Sequence, residues 1–265
     1  MNLLVCIKQV PDTTEIRIDP ETNTLIRAGV PSIVNPFDAY ALEMAARIKD
    51  EKGGRITVMC MGPPQAREAL VECLGVGADQ AYLVSDRVFS GSDTLATSYI
   101  LSGAIRTVEA QVGPFDIIFC GKQAIDGDTA QVGPEIAEHL DLPQVTYAVE
   151  AAAGEGSVVV KRENDDGYAL IEMQTPCLIT VTKPAFEPRL PTIKSKMAAK
   201  RAQIVTITSQ DVELDFTMCG LKGSPTKVKK TFTPEVKKGG LRISEEDDAA
   251  AGRKLAELLF DAKVI

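Results

Sequence analysis

The sequence predicts an α/β fold: a mostly parallel sheet with helices on both faces, antiparallel strand additions and a C-terminal arm. Three observations lead there. Short apolar runs alternate with longer stretches of helical periodicity over the first two-thirds of the chain. Glycine and proline breaks punctuate each run. At 265 residues the chain is long enough for one large domain, or a domain plus an extension, with a sizeable core.

Asn2 to Lys8 reads as the first strand. Ile16 to Ile18 and Thr24 to Ile26 flank the turn signal Asp19-Pro20-Glu21-Thr22-Asn23 and read as a hairpin. Asn35-Pro36 opens a helix with Asn35 as cap, whose apolar face uses Ala41, Leu42, Ala45, Ala46 and Ile48 and which Gly53-Gly54 ends. Arg55 to Met61 is a strand, Gln65 to Leu74 a helix, and Ala81 to Val84 a strand. Gly91-Ser92-Asp93 caps a longer helix running to about Gln111, and Phe115 to Cys120 is another buried strand. After Pro143, four short β runs (Val145 to Val149, Ser157 to Arg162, Tyr168 to Met173, Cys177 to Thr182) are separated by Gly- and Asp-rich loops and read as antiparallel additions. From Lys183 onward, Pro and Lys dominate and the chain reads as an extended arm. Ser244 is the expected cap of a final helix with Leu255, Leu258 and Leu259 as its apolar stripe. The domain division expected is 1–205 for an α/β domain and 206–265 for an arm and terminal helix that pack on another chain.

Composition narrows the function. The net charge of −8 argues against nucleic acid as the main partner, because phosphate backbones need a basic face. No apolar run reaches the length of a membrane span, and the N-terminus has neither a basic n-region nor a small-residue cleavage site, so a cytoplasmic protein is expected. Six cysteines without CxxC spacing read as reduced, buried thiols. A single histidine, His139, gives no support to multi-histidine metal sites or Ser-His triads, and packing or a helix C-terminal role fits it better.

The parallel order puts the loops after the first, second, third and fourth of these α/β strands on one rim, where such sheets bind ligands. In GKQAIDGDTAQVGP, Gly121 lets the backbone leave its strand tightly, and Gly127 allows close approach or positive φ. Asp128 or Thr129 can cap the following helix, whose free N–H groups suit a phosphate, while Thr129 and Gln131 add neutral polar groups. A plain βα loop with a good cap accounts for the same residues. Gly121-Lys122 is followed by Gln123, so this is not a Walker A loop, and no GxGxxG appears, which disfavours an ATP-hydrolysing or adenylating enzyme. Thr94 and Thr97, three apart on one helical face, could reach one ligand. Asp38, in Asn35-Pro36-Phe37-Asp38, could hold a ribose hydroxyl. Three polar helix starts on one rim favour an adenine-containing ligand.

KQVPDT, NPFDAYALE, GPPQA, GVGADQAYLVSD, GKQAIDGDTAQVG, VKRENDDGYALIEMQTPCLITVTKP and EPRLPTIKSKM follow one another over nearly the whole chain. In this they resemble the electron transfer flavoprotein small (beta) subunits. The resemblance implies a Rossmann-like nucleotide-binding domain that pairs with a large (alpha) subunit carrying FAD, and itself holds AMP or a second FAD. Its nucleotide contacts fall on Cys6, Asn35, Phe37, Asp38, Met61, Gly121, Lys122, Gln123, Asp126, Gly127, Asp128, Thr129, Gln131 and Val132.

The ending GDTAQVGP, and CGLKGSPTKV from Cys219 to Val228, are similar to the electron-bifurcating branch, where the second site holds FAD. That branch implies an NADH-dependent oxidoreductase complex in which this subunit is not active alone. One electron passes to ferredoxin or flavodoxin, the other through the large subunit's FAD to a dehydrogenase of butyryl-CoA, caffeyl-CoA or lactate type. On this resemblance Thr94 and Thr97 are candidates for the flavin ring, Gly121 to Thr129 for the ADP part, and Ile193 for docking the dehydrogenase. The alternative is a non-bifurcating subunit holding a structural AMP. Two departures stand out: Ile193 replaces the usual leucine, and Ala169 occupies a hairpin position that normally carries Glu or Gln.

Overall fold

The computed structural model describes residues 1–12, 31–229 and 239–265. The hairpin expected between Ile16 and Ile26 lies outside them. In chain order the elements are β1 (Asn2–Ile7), β2 (Gln9–Pro11), β3 (Ser32–Val34), α1 (Pro36–Lys52), β4 (Arg55–Met61), α2 (Arg67–Gly75), β5 (Gln80–Val84) and α3 (Thr94–Val112). They continue with β6 (Ile117–Gly121), α4 (Val132–Leu140), β7 (Gln144–Ala153), β8 (Ser157–Asn164), β9 (Gly167–Gln174), β10 (Cys177–Val181), α5 (Ile193–Arg201), β11 (Ile204–Ile207), α6 (Gly220–Gly223) and α7 (Asp248–Asp261).

Among the described residues the main sheet has the order β11-β5-β4-β1-β6-β10-β7-β8-β9, and β2 pairs antiparallel with β3 in a small ribbon. All pairs from β11 to β7 are parallel. Side chains of β1 alternate between the two faces, as the period of two requires. Leu3, Val5 and Ile7 join one core with α1 and α2, while Leu4 and Cys6 join a second with α3 and α4. A strand buried on both faces reads as a continuous apolar run, which is why Leu3 to Ile7 are all apolar and buried.

Several expectations need correcting. β7, β8 and β9 are an antiparallel meander, but β10 is not an antiparallel addition: it lies between β6 and β7 and pairs parallel with both. Its burial on every residue marks it as a central strand. Residues 193–201 are helical, not an extended arm; Thr192 and Ser195 form a capping box, and the buried Ala199 and Pro191 pack near Gly75 at the end of α2. The final helix begins at Asp248 with Asp247 as its cap, not Ser244.

The chain divides into two compact units. The first takes in the whole main sheet and runs to Lys229, so a boundary at 205 cuts through β11 and detaches residues that belong to this unit. The second contains α7, an amphipathic helix with no buried residue of its own and with Leu255 and Phe260 exposed, followed by the exposed Val264 and Ile265.

Candidate nucleotide site

The chain leaves β1 toward β4 and β5 on one side, then returns to β6 on the other, so the strand order reverses beside β1. The crevice outside the carboxyl ends of β1 and β6 is the topological switch point. Cys6 and Cys120 face each other across this pair, both buried, and the hydrogen bond with the Cys6 thiol, together with burial, pushes the Cys120 thiol well above its ordinary value.

Asp38, in the first turn of α1, bridges the crevice: its carboxylate accepts from the Lys8 N–H at 2.7 Å and the Gly121 N–H at 3.1 Å. Burial drives its pKa from 3.8 to about 7, partly offset by the Asn35 side chain, these two N–H groups and the Lys8 charge. The ribose-holding role expected of it meets a carboxylate already engaged by two backbone donors. Gly121 is required here, because a Cβ would stand 2.3 Å from Asp38 Oδ1 and 2.7 Å from Phe37 Cβ. Asn35 occupies the N-cap position of α1 but makes no side-chain cap. Instead its Nδ2 donates to the Gln123 carbonyl at 2.8 Å and its Oδ1 accepts from the Ile125 N–H at 3.1 Å, binding the loop after β6 to the start of α1.

That loop then runs through exposed residues 125–129. Lys8 pairs with Asp126 at 2.7 Å, and Gln123 Nε2 donates to Asp128 at 2.7 Å. Lys122 turns away, its ammonium 5.2 Å from the Tyr147 ring centroid. The positive φ expected at Gly127 falls instead on Asp128 (51°) and Ala130 (53°), a conformation that costs about 1–3 kcal/mol per residue outside glycine. Gln131, not Asp128 or Thr129, is the N-cap of α4, and it makes no side-chain cap bond. No acceptor among the described residues serves the backbone N–H groups of Thr129, Ala130, Gln131 or Val132. Gly133 seats this helix start on the sheet, since a Cβ would meet Thr180 Cγ2 at 2.6 Å.

Across the crevice, Asp93 caps α3 as expected, accepting from the Ala96 N–H at 3.1 Å. Thr94 Oγ1 lies 3.2 Å from Glu135 Oε1 and 3.4 Å from Gln131 Oε1, which joins the starts of α3 and α4. Thr97 follows one turn later, half-buried, and Met61 closes β4 on the same rim. The structure thus brings Cys6, Asn35, Phe37, Asp38, Met61, Thr94, Thr97 and the 121–132 loop to one edge of the sheet. Ile193 belongs elsewhere, 82% exposed at the start of α5 beside Leu190 and Met197.

Two contributors escaped sequence reasoning. Glu135 gave only the weak signal of an acid in a helix's first turn. The 219–226 segment, assigned to the arm, in fact lines this rim: Ser224 Oγ accepts from the Asp93 N–H at 2.8 Å, and the Asp93 carboxylate takes both the N–H and the hydroxyl of Thr226. Gly220, at φ 61°, fits there only without a Cβ, which would stand 2.2 Å from the Val88 carbonyl oxygen.

The profile of the electron transfer flavoprotein domain matches residues 22–212. The electron transfer flavoprotein subunit beta of Megasphaera elsdenii is 54% identical over the full length of both chains. The chain belongs to the electron transfer flavoprotein family, as a beta subunit. Two differently named relatives fall within the same range. The caffeyl-CoA reductase-Etf complex subunit CarD of Acetobacterium woodii is 49% identical over 92% of each chain. Protein FixA of Azorhizobium caulinodans is 44% identical over 97% of this chain and 94% of its own. A beta subunit implies an alpha subunit as partner and electron transfer as the role. All six cysteines of this beta subunit are free and buried, and among the described residues no helix is long and apolar enough to cross a membrane and no cluster of ligating side chains could hold a metal ion.

Proposed function

We propose that this beta subunit holds FAD in the crevice between the starts of α3 and α4, and works with its alpha subunit as an NADH-dependent, electron-bifurcating flavoprotein. The observation that carries the reading is the run of N–H groups from Thr129 to Val132, leading into α4, that have no acceptor among the described residues, next to the start of α3, where Thr94 bonds to the Gln131 and Glu135 side chains. Free N–H groups at a helix start suit the pyrophosphate of a dinucleotide, and the threonines suit polar edges of a ring or ribityl chain. Gly127 leaves open space beside the loop, Gly121 lets the end of β6 pack against Asp38 and Phe37, and Asp38 and Asn35 tie the loop to the start of α1. A bound flavin would supply a carrier that takes two electrons from NADH and releases them singly.

Ferredoxin or flavodoxin takes one electron; the other reaches an acyl-CoA or lactate dehydrogenase through the alpha subunit's FAD. The name of the caffeyl-CoA reductase relative favours an acyl-CoA partner. The exposed Ile193, flanked by Lys194 and Lys196, is the proposed anchor for that dehydrogenase, and α7 the element that packs on the alpha subunit. Co-purifying the heterodimer and counting cofactors tests the reading. Two FAD per heterodimer is the expected result; one FAD with one AMP overturns it.

A further inference from the structure

Glu135 buries a carboxylate oxygen, Oε2, that has no hydrogen-bond partner among the described residues, while Oε1 takes the hydroxyl of Thr94 at 3.2 Å. A carboxylate oxygen buried without a hydrogen-bond partner costs free energy. Its position in the first turn of α4 lowers that cost, because the helix's positive end favours an anion. An ionised carboxylate can only accept, so Thr94 Oγ1 must spend its one proton on it. The neighbouring Gln131 Oε1 at 3.4 Å is a second acceptor on the same hydroxyl. With its proton committed, the Thr94 oxygen has only lone pairs left for whatever lies in the crevice.

We propose that Glu135 is a positioning residue: it fixes Thr94 as a hydrogen-bond acceptor toward the isoalloxazine edge, and so favours the reduced flavin, which carries an extra ring N–H, over the oxidised one. The inference rests on the FAD reading above. An acceptor that meets a donor present only after reduction stabilises the reduced side of the couple. The same hydroxyl left free to donate favours the oxidised side, whose ring nitrogen is an acceptor.

The test uses the FAD-loaded heterodimer and measures the midpoint potential of the beta subunit's flavin by spectroelectrochemistry at fixed pH. Glu135→Gln keeps shape but can donate an amide N–H to Thr94, freeing the hydroxyl to turn. The expected result is a reduction equilibrium about tenfold less favourable, or roughly 30 mV lower for a two-electron couple. Thr94→Val should lower it as well, and the double variant should match Thr94→Val alone. Thr94→Ser, which keeps the hydroxyl, should restore the wild-type potential. Two FAD per heterodimer with an unchanged potential in Glu135→Gln overturns the inference and leaves the FAD reading standing. Additive shifts in the double variant also overturn it, since Glu135 would then not act through Thr94. A heterodimer with one FAD and one AMP overturns both.

Discussion

Asp38 serves two strands at once, and its proton therefore couples to the integrity of the rim. Burial holds its folded pKa near 7 against an ordinary 3.8, so the folded chain binds this proton more tightly than the unfolded one. A carboxyl raised in this way contributes stability below about pH 4 and loses it progressively as the pH rises to about 7. The difference is of the order of 4 kcal/mol at full ionisation. Asp38→Asn removes the titration, at the cost of turning an amide N–H toward one of the two backbone donors. In urea unfolding at pH 5 and pH 8, wild type should lose stability relative to Asp38→Asn as the pH rises; parallel behaviour would refute this account. The Asp93 cap was legible in the sequence because donor and acceptor lie three residues apart. Asp38 and Asn35 were legible only as residues near a site. Their partners lie 30 to 90 residues away, and local pattern cannot separate a ligand-binding carboxylate from one that clasps two strands.

At the level of elements, the segment after β10 is held to α1 by Arg189. Its Nε meets Glu43 Oε2 at 2.7 Å, its Nη2 reaches both Glu43 at 3.2 Å and Asp50 at 2.9 Å, and its own N–H donates to Glu43 at 3.0 Å. Burial alone would raise the Glu43 pKa, but the bonds and charge of Arg189, with a further bond from Arg47, hold it below the ordinary value. Removing Arg189 would leave a buried carboxylate with Arg47 alone. Because the guanidinium is about one-third exposed, the penalty is nearer 2 kcal/mol than the 3–5 of a fully buried pair. Arg189→Ala should lower the denaturant midpoint accordingly and, if Ile193 is the dehydrogenase anchor proposed above, weaken that docking through the loosened approach to it. Arg189→Lys should recover only part of either, since an ammonium cannot span two carboxylates with a planar fork. Unchanged midpoints in both variants would show the clamp to be dispensable. The alternation of strands and helices was readable from periodicity, but the insertion of β10 was not. Short apolar runs give their length and burial without naming their neighbours, and hairpin loops on the two preceding connections made antiparallel pairing the local expectation. The β7 bulge, with Tyr147 at φ 59°, has no glycine to announce it.

Over the whole molecule, stability is concentrated in the first unit, where both cores and every strand of the main sheet reside. The second unit buries no side chain of α7. Deleting residues 240–265 should therefore change the unfolding free energy of the isolated chain by no more than about 0.5 kcal/mol. It should also abolish stable co-purification with the alpha subunit. A heterodimer that survives the deletion would assign the docking to another surface. The place of β10 has a further consequence, for biogenesis. A ribosome delivers β6 early, but its outer edge can be completed only after the entire β7 to β9 meander has emerged and Cys177–Val181 has slotted in behind it. During that interval the future centre of the sheet is an open rank of unpaired amide and carbonyl groups, the kind of edge that recruits stray strands. In a nascent chain of this topology that edge stays open until Val181 has emerged and β10 has inserted.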